Sequence, residues 1–301
     1  MFGFRPDGKR VKGMDPIVSV TPYIMPTRND AQVFLRHGAD LEKLSSYIKQ
    51  QKVEKGIHIS HMAIIIACYV RAVSQNPQIN RFIVNKQYFA RNNCSVAFTL
   101  LNDPANVDCG ESLAKINFDL KDTIYDVNER VSTAIESNRG VEKKNFLDKL
   151  AGFVLKVPGL PTTLVAIVRL LDRYGICPKF LIDELPFHVG MFITNMASIG
   201  LHDVYHHIYN FGNVSMFLSM GAPEKAVVME KGEAKSKKIL PIGGVVDERV
   251  CSGAHYARFF NDFKKYLENP ALLESEPEEV KFDNGIEYHV PKPVKNSDKE
   301  N

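Results

Sequence analysis

The side chains of this chain that could move a proton, hold an anion or bind a metal gather in a few short stretches. The densest is VVDERVCSGAHYARFF, residues 245–260, which holds Glu248, Arg249, Cys251, Ser252 and His255. A glutamate in water titrates near about 4.3, so Glu248 acts as a base toward a thiol only if burial raises it by ~2 units or more. Its plainer role is an ordinary carboxylate paired with Arg249 or another cation. Cys251 offers a thiol nucleophile by type. Upstream, LPFHVG carries His188 and HDVYHHIYN carries His206 and His207, imidazoles that titrate near neutrality and otherwise serve as packing or helix-end residues. Histidines and a carboxylate are the ligand types of zinc and iron. Neighbouring histidines rarely both reach one ion, however, and no H-E-x-x-H spacing occurs, so no metal is expected. Arg28, beside Asp30 in MPTRNDA, is the cation best suited to meet a carboxylate partner.

These residues need a scaffold, and hydrophobic periodicity supplies its outline. Asp40 stands where it can cap a helix carrying Leu41, Leu44 and Ile48, and MAIIIACYVRAV, apolar almost all round, predicts a buried helix that begins near Ser60 and ends at Pro77. Residues 95–101 read as a strand closed by Asp103-Pro104, and residues 122–138 as a helix stopped at Asn138-Arg139-Gly140. HVGMFITN, NVSMFLSMG, KAVVMEK and ILPIGGVVDE predict successive strands, so the C-terminal half is sheet-rich. Between the last two, residues 231–238, KGEAKSKK, read as a solvated hairpin. Tyr256, Phe259, Phe260, Phe263 and Leu267 share one face of a closing helix that stops at Asn269-Pro270. The pattern is an α/β two-layer sandwich, a mixed sheet flanked by helices, without the strict alternation of a doubly wound sheet.

Composition bounds the function. At 301 residues, with 45% hydrophobic and 24% charged residues, the chain is an ordinary globular protein, and a net charge of +3 is too small to predict a nucleic-acid partner. No linker or repeat divides it, which predicts one folded unit over residues 15–270 between an N-terminal tail, 1–14, and a polar C-terminal tail, 271–301. The five cysteines are scattered and never paired as C-x-x-C, as in a reducing compartment. The N-terminus lacks the apolar core of a signal peptide, so a cytoplasmic location is expected. The apolar stretch 150–171 is broken by Lys156, Pro158, Gly159, Pro161 and Arg169 before the roughly 20 residues of a membrane span. It reads as a mouth-lining or interface helix.

The string VVDERVCSGAHYARFFNDFKKYLENP resembles the catalytic loop of the superfamily that joins chloramphenicol acetyltransferases and dihydrolipoamide acyltransferases, the 2-oxoacid dehydrogenase acyltransferase catalytic domains. That loop reads H-x-x-x-D-G and leads into a helix. Val250, Cys251, Gly253, His255, Ala257, Arg258 and Phe259 stand where chloramphenicol acetyltransferases carry similar residues. FITNMASIGLHDVYHHIYNFGNVSMFLSMG resembles the same family's F-T-I-S-N-L-G segment. The resemblance spans about residues 15–270 and, with no lipoyl domain preceding it, is to a short form. It implies a chloramphenicol-acetyltransferase-like fold assembled as a homotrimer, with active sites between subunits.

The resemblance also implies a chemistry, in which coenzyme A thioester is the co-substrate. In that family the loop His is the general base that deprotonates a thiol or hydroxyl, which then attacks the thioester of acyl-CoA. A nearby Ser or Thr hydroxyl stabilises the oxyanion, and the loop Asp holds the turn through an ion pair. Position by position, the His falls on Glu248, the Asp on Ser252 and the hydroxyl on Thr194, with Gly253 keeping the turn. Both catalytic-loop side chains are therefore replaced. His206 or His207, in the channel segment, are candidates for the missing imidazole, with His188 and Arg28 also expected near the channel. Cys251 and His255 have counterparts without a catalytic role, and the 231–238 lysines offer a second reading as attractors of the CoA 3′-phosphate. Two functions follow as expectations: a stand-alone acyl-CoA-dependent acyltransferase, or an inactive trimeric binding or assembly protein. Association with 2-oxoacid dehydrogenase components is implied by analogy alone.

Overall fold

A computed structural model describes residues 4–101, 110–138, 152, 154–230 and 232–293. A small antiparallel sheet joins β1 (Phe4–Arg5), β2 (Gly8–Arg10), β4 (Arg81–Val84) and β5 (Gln87–Arg91) in the order β1-β2-β5-β4. The main sheet has seven strands: β3 (Gln32–Asp40), β6 (Cys94–Leu101), β7 (Glu111–Phe118), β8 (Met191–Asn195), β9 (Met216–Met220), β10 (Glu224–Glu230) and the long β11 (Glu233–Asp247). β8 runs parallel to both β6 and β9, whereas β11 is antiparallel to β3, β9 and β10. This is the mixed sheet that the sequence predicts. β10 and β11 meet in a hairpin, so most of residues 231–238 belongs to a paired strand rather than to its turn; Lys231 lies outside the described residues.

Seven helices position the sheet among the described residues: α1 (Pro16–Ile24), α2 (Leu41–Lys55), α3 (His61–Gln75), α4 (Ile124–Asn138), α5 (Leu160–Tyr174), α6 (Lys179–Glu184) and α7 (Gly253–Glu268). Asp40 caps α2 by accepting from Glu42 N and Lys43 N, both at 3.1 Å, and Ser60 Oγ caps α3 by accepting from Ala63 N at 3.1 Å. Every residue of α3 from Met62 to Ser74 is buried, the outcome expected of a helix apolar on all sides. α3 packs against α7 and beside α4. Val96, Phe98, Met191, Ile193, Leu218, Ile242 and Val246 face this helical layer. Side chains of the opposite parity, Ala97, Phe192, Phe217 and Val245, join Val189, Ile208 and Val214 in a second cluster. There the covering element is not a helix but the chain from 201 to 214.

Both ends expected as tails are held to the domain where they are described. Arg5 and Asp7 are buried and paired with each other, and β2 extends the small sheet. At the other end Asp283 forms a two-point ion pair with Arg81, Lys281 N donates to Ser74 O, and Val290 N donates to Asp119 Oδ2. Composition marks these segments as polar, and mutual neutralisation is what lets them dock. Asp103-Pro104, Arg139-Gly140, Cys109 and Leu150 lie outside the described residues. Among those described, no helix is long and apolar enough to cross a membrane. The described part of the apolar 150–171 stretch is α5 and its approach, with Leu155, Val165, Ile167 and Leu170 exposed.

Candidate active site

β11 ends at Asp247 and α7 begins at Gly253, so Glu248, Arg249, Cys251 and Ser252 form the bend between them. The bend is stapled from inside. Asp247, 1% exposed, accepts from Arg249 Nε at 2.8 Å and from its terminal nitrogen at 2.7 Å, while another Arg249 nitrogen donates to Met25 O at 2.8 Å. Tyr256, one turn into α7, donates its hydroxyl to Asp247 O at 2.7 Å. Sequence reasoning missed this Asp247–Arg249 pair. Periodicity gave no signal for it, because the chain turns at 248–250, where Val250 N donates to Asp247 O. Ser252 itself makes no ion pair; its hydroxyl is 2.7 Å from His255 Nδ1.

With Arg249 held by Asp247, the pairing of Glu248 with Arg249 does not form, and Glu248 makes no ion pair among the described residues. Its side chain is exposed, and its backbone N–H donates to Ala31 O at 2.9 Å. Glu248 and Ser252 stand on the rim of a cavity of about 440 Å³ whose walls are largely apolar: Val18, Val33, Leu35, Val246 and Phe260. Gly253 also lines it, at the first position of α7, where an added Cβ would meet open space. Cys251 is buried, and burial pushes its thiol up to about 12, so it is not a nucleophile at neutral pH.

Thr194 ends up elsewhere. It lies on β8 opposite Ser219 of β9, and Ser219 lies opposite Gly243 of β11. Asp247, where β11 ends, is four positions further along, a displacement of ~13 Å at ~3.3 Å per residue with two strand spacings of ~4.8 Å across, and Glu248 lies beyond it. In one copy of the chain the two cannot touch the same atom. Thr194 Oγ1 is half-buried, its contact being Met196 Sδ at 3.7 Å.

The histidines separate as well. His206 stacks on Phe217 with centroids 4.1 Å apart, and Phe217 is two residues before Ser219, so His206 and Thr194 share one face of the sheet. Burial lowers the His206 pKa, leaving a neutral ring whose Nδ1 lies 2.9 Å from His207 O. The chain can lie this close to the sheet because Gly243 has no side chain: a Cβ there would come within 2.7 Å of Val204 O. Ser219 Oγ bonds that carbonyl at 2.6 Å. His207 is exposed beside His206. His188 is buried beside Phe211, its Nε2 3.4 Å from Asp172 Oδ1. Among the described residues no three His, Cys, Asp or Glu side chains converge on a metal position.

Arg28 departs from expectation in its partner. It is buried, and its guanidinium meets no carboxylate; it donates to Ile83 O at 3.2 Å and to Tyr209 O and Asn210 O at 3.4 Å. Asp30 turns back instead to Thr27, accepting from its hydroxyl at 2.6 Å. Without a carboxylate at 252, the loop's own ion pair is made within residues 247–249, and Arg28 is left to carbonyl oxygens.

Residues 189–274 match the family model described as 2-oxoacid dehydrogenases acyltransferase (catalytic domain). No curated protein matches the chain. Among solved structures, a probable dihydrolipoamide acetyltransferase from Listeria monocytogenes is 14% identical, with 87% of this chain and 95% of that one covered at a TM-score of 0.52. A truncated catalytic core of the 2-oxoacid dehydrogenase multienzyme complex from Thermoplasma acidophilum is 13% identical, with 87% and 99% covered at 0.51. The cubic core of a pyruvate dehydrogenase multienzyme complex is 13% identical, with 88% and 94% covered at 0.52. Two motifs read from the sequence and the whole sheet topology therefore lead to one statement: the chain has the fold of the dihydrolipoamide acetyltransferases and, over residues 189–274, the sequence pattern of the 2-oxoacid dehydrogenase acyltransferase catalytic domain.

Proposed function

We propose that this protein transfers an acyl group between a coenzyme A thioester and a thiol, hydroxyl or amine acceptor, in a site completed only where two copies of the chain meet. The separation of Thr194 from Glu248 along the sheet carries this reading. The two stand too far apart on the sheet to act together in one copy, each is half-buried or exposed, and a second copy can bring one to the other. Apolar side chains are also left in water on α1 and β3, the elements that carry Val18, Val33 and Leu35 of the cavity wall: Ile17, Ile24 and Phe34 are 78%, 72% and 54% exposed. Such a surface is covered in an oligomer, and a homotrimer is the assembly that the resemblance implies.

In the completed site, Glu248 of one copy takes the acceptor's proton as the acceptor attacks the thioester carbonyl, and Thr194 of another donates to the oxyanion; collapse of the tetrahedral intermediate then breaks the C–S bond and releases coenzyme A as its thiolate, which takes the proton back from Glu248. His206 is the second candidate base, favoured by the sheet face it shares with Thr194. Likeness alone supports any association with 2-oxoacid dehydrogenase components.

The test is acetyl-CoA consumption with a panel of acceptors. Thr194→Val should lower kcat about a hundredfold or more, as should Glu248→Gln. Loss in His206→Asn with Glu248→Gln unaffected would move the base to the imidazole. Binding of CoA with no turnover for any acceptor would leave a trimeric binding protein in place of the enzyme.

A further inference from the structure

A second cleft, about 540 Å³ in volume, opens on the other side of Arg249 from the Glu248 loop and has no part in the proposed acyl transfer. The end of α1, the turn between β4 and β5, α5 and residues 210–212 form its walls. Five cationic side chains line it: Arg28, Lys86, Arg169, Arg173 and Arg249. Arg249 is matched by Asp247, and Asp172, the one carboxylate lining the cleft among the described residues, is already held by Arg5 at 2.6 Å.

The other four cations have no carboxylate partner among the described residues. Lys86 and Arg169 lie over the rings of Tyr23 and Phe211, and Arg173 donates to the Asn85 side chain at 3.1 Å. Arg28 is the telling member. At 7% exposure it faces three carbonyl oxygens at 3.2–3.4 Å, neutral partners for a charge removed from water. Burial lowers its pKa to about 10, which still leaves it protonated at neutral pH. Beside it, the buried His188 ring lines the same cleft, its Nε2 3.4 Å from Asp172 Oδ1 and its Nδ1 in no hydrogen bond. Buried donors and uncompensated positive charge together describe a site missing its anion.

We infer that this cleft binds a small, multiply charged oxyanion, a phosphate ester or a dicarboxylate, with Arg28 at its floor and Arg169 and Arg173 at its mouth. Guanidinium forks match the oxygens of either group, and the volume is that of a small-molecule site. Calorimetric titration of the full chain with inorganic pyrophosphate and, separately, with succinate tests it, since neither probe carries an acyl thioester and the readout is independent of transferase activity. At least one probe should bind with a Kd below about 1 mM and raise Tm. Preference for pyrophosphate assigns a phosphate ligand, and preference for succinate a dicarboxylate. Arg28→Met should weaken binding by about tenfold or more. The Arg169→Ala, Arg173→Ala double variant, altered only at exposed positions, should do the same and decides the matter if Arg28→Met does not fold. Absence of heat and of any Tm shift with both probes at about 10 mM, or affinity unchanged in the folded variants, would overturn the inference.

Discussion

Asp172 shows how a single side chain ties the chain's first residues to its middle. Its carboxylate lies 2.6 Å from Arg5 and 3.4 Å from His188, and Arg5 also binds Asp7, which in turn accepts from Asn213 Nδ2 at 2.7 Å. Burial alone would raise the pKa of Asp172, but the contacts with His188 and Arg5 outweigh it and hold the carboxyl at about 2, below the ordinary 3.8. A depressed folded-state pKa contributes stability that is present above the unfolded value and is lost as pH falls through the folded one. The shift corresponds to roughly 2 kcal/mol. Asp172→Asn should therefore destabilise the protein at neutral pH by about that amount, and its acid limb between about pH 4 and pH 2 should be flatter than the parent's; denaturant melts across that range read both. None of this network was legible from composition, since Arg5 and Asp172 are far apart in the chain and each looks like a solvated charge.

At the scale of elements, the join between β11 and α7 governs the candidate site. α7 buries Phe259, Phe263 and Leu267 against the core, and Tyr256 on the same helix reaches back to Asp247 O. The loop that presents Glu248 is thus held by the helix that follows it and by the Asp247–Arg249 pair inside it. Tyr256→Phe removes one hydrogen bond and should cost about 1 kcal/mol. The same change should lower turnover more than it alters CoA affinity, as expected of a positioning residue; parallel melts and kinetics check both. α2 and α3 were legible from the sequence because Asp40 and Ser60 stand at their starts and because periodicity is a local property, whereas the short α1 and α6 were not. The 201–214 segment was not, since its place over the sheet depends on the absence of a side chain at Gly243, a contact between distant strands.

For the molecule as a whole, the exposed apolar side chains of α1, β3 and α5 ask for a partner. Light scattering on the purified protein should give a mass near three times 33.9 kDa. Ile17→Glu, at a position 78% exposed in the single chain, should leave each copy folded while lowering that mass and abolishing acetyl-CoA turnover. A parent protein that runs as a monomer would remove the basis for a shared site, because Thr194 and Glu248 would have no means of meeting.

The sequence by itself determined the class of the fold, five of the seven helices and five of the eleven strands among the described residues, and the two motifs that align with a known catalytic domain. These rest on caps, periodicity and residue order, which are local. Only the tertiary structure decided which charges pair, because ion pairs form between residues that the sheet brings together: Arg249 with Asp247 rather than Glu248, Arg5 with Asp172, and Arg28 with no carboxylate. It likewise separated Thr194 from Glu248, since strand register, invisible in either motif, sets Thr194 level with Gly243 and leaves Glu248 beyond the end of β11.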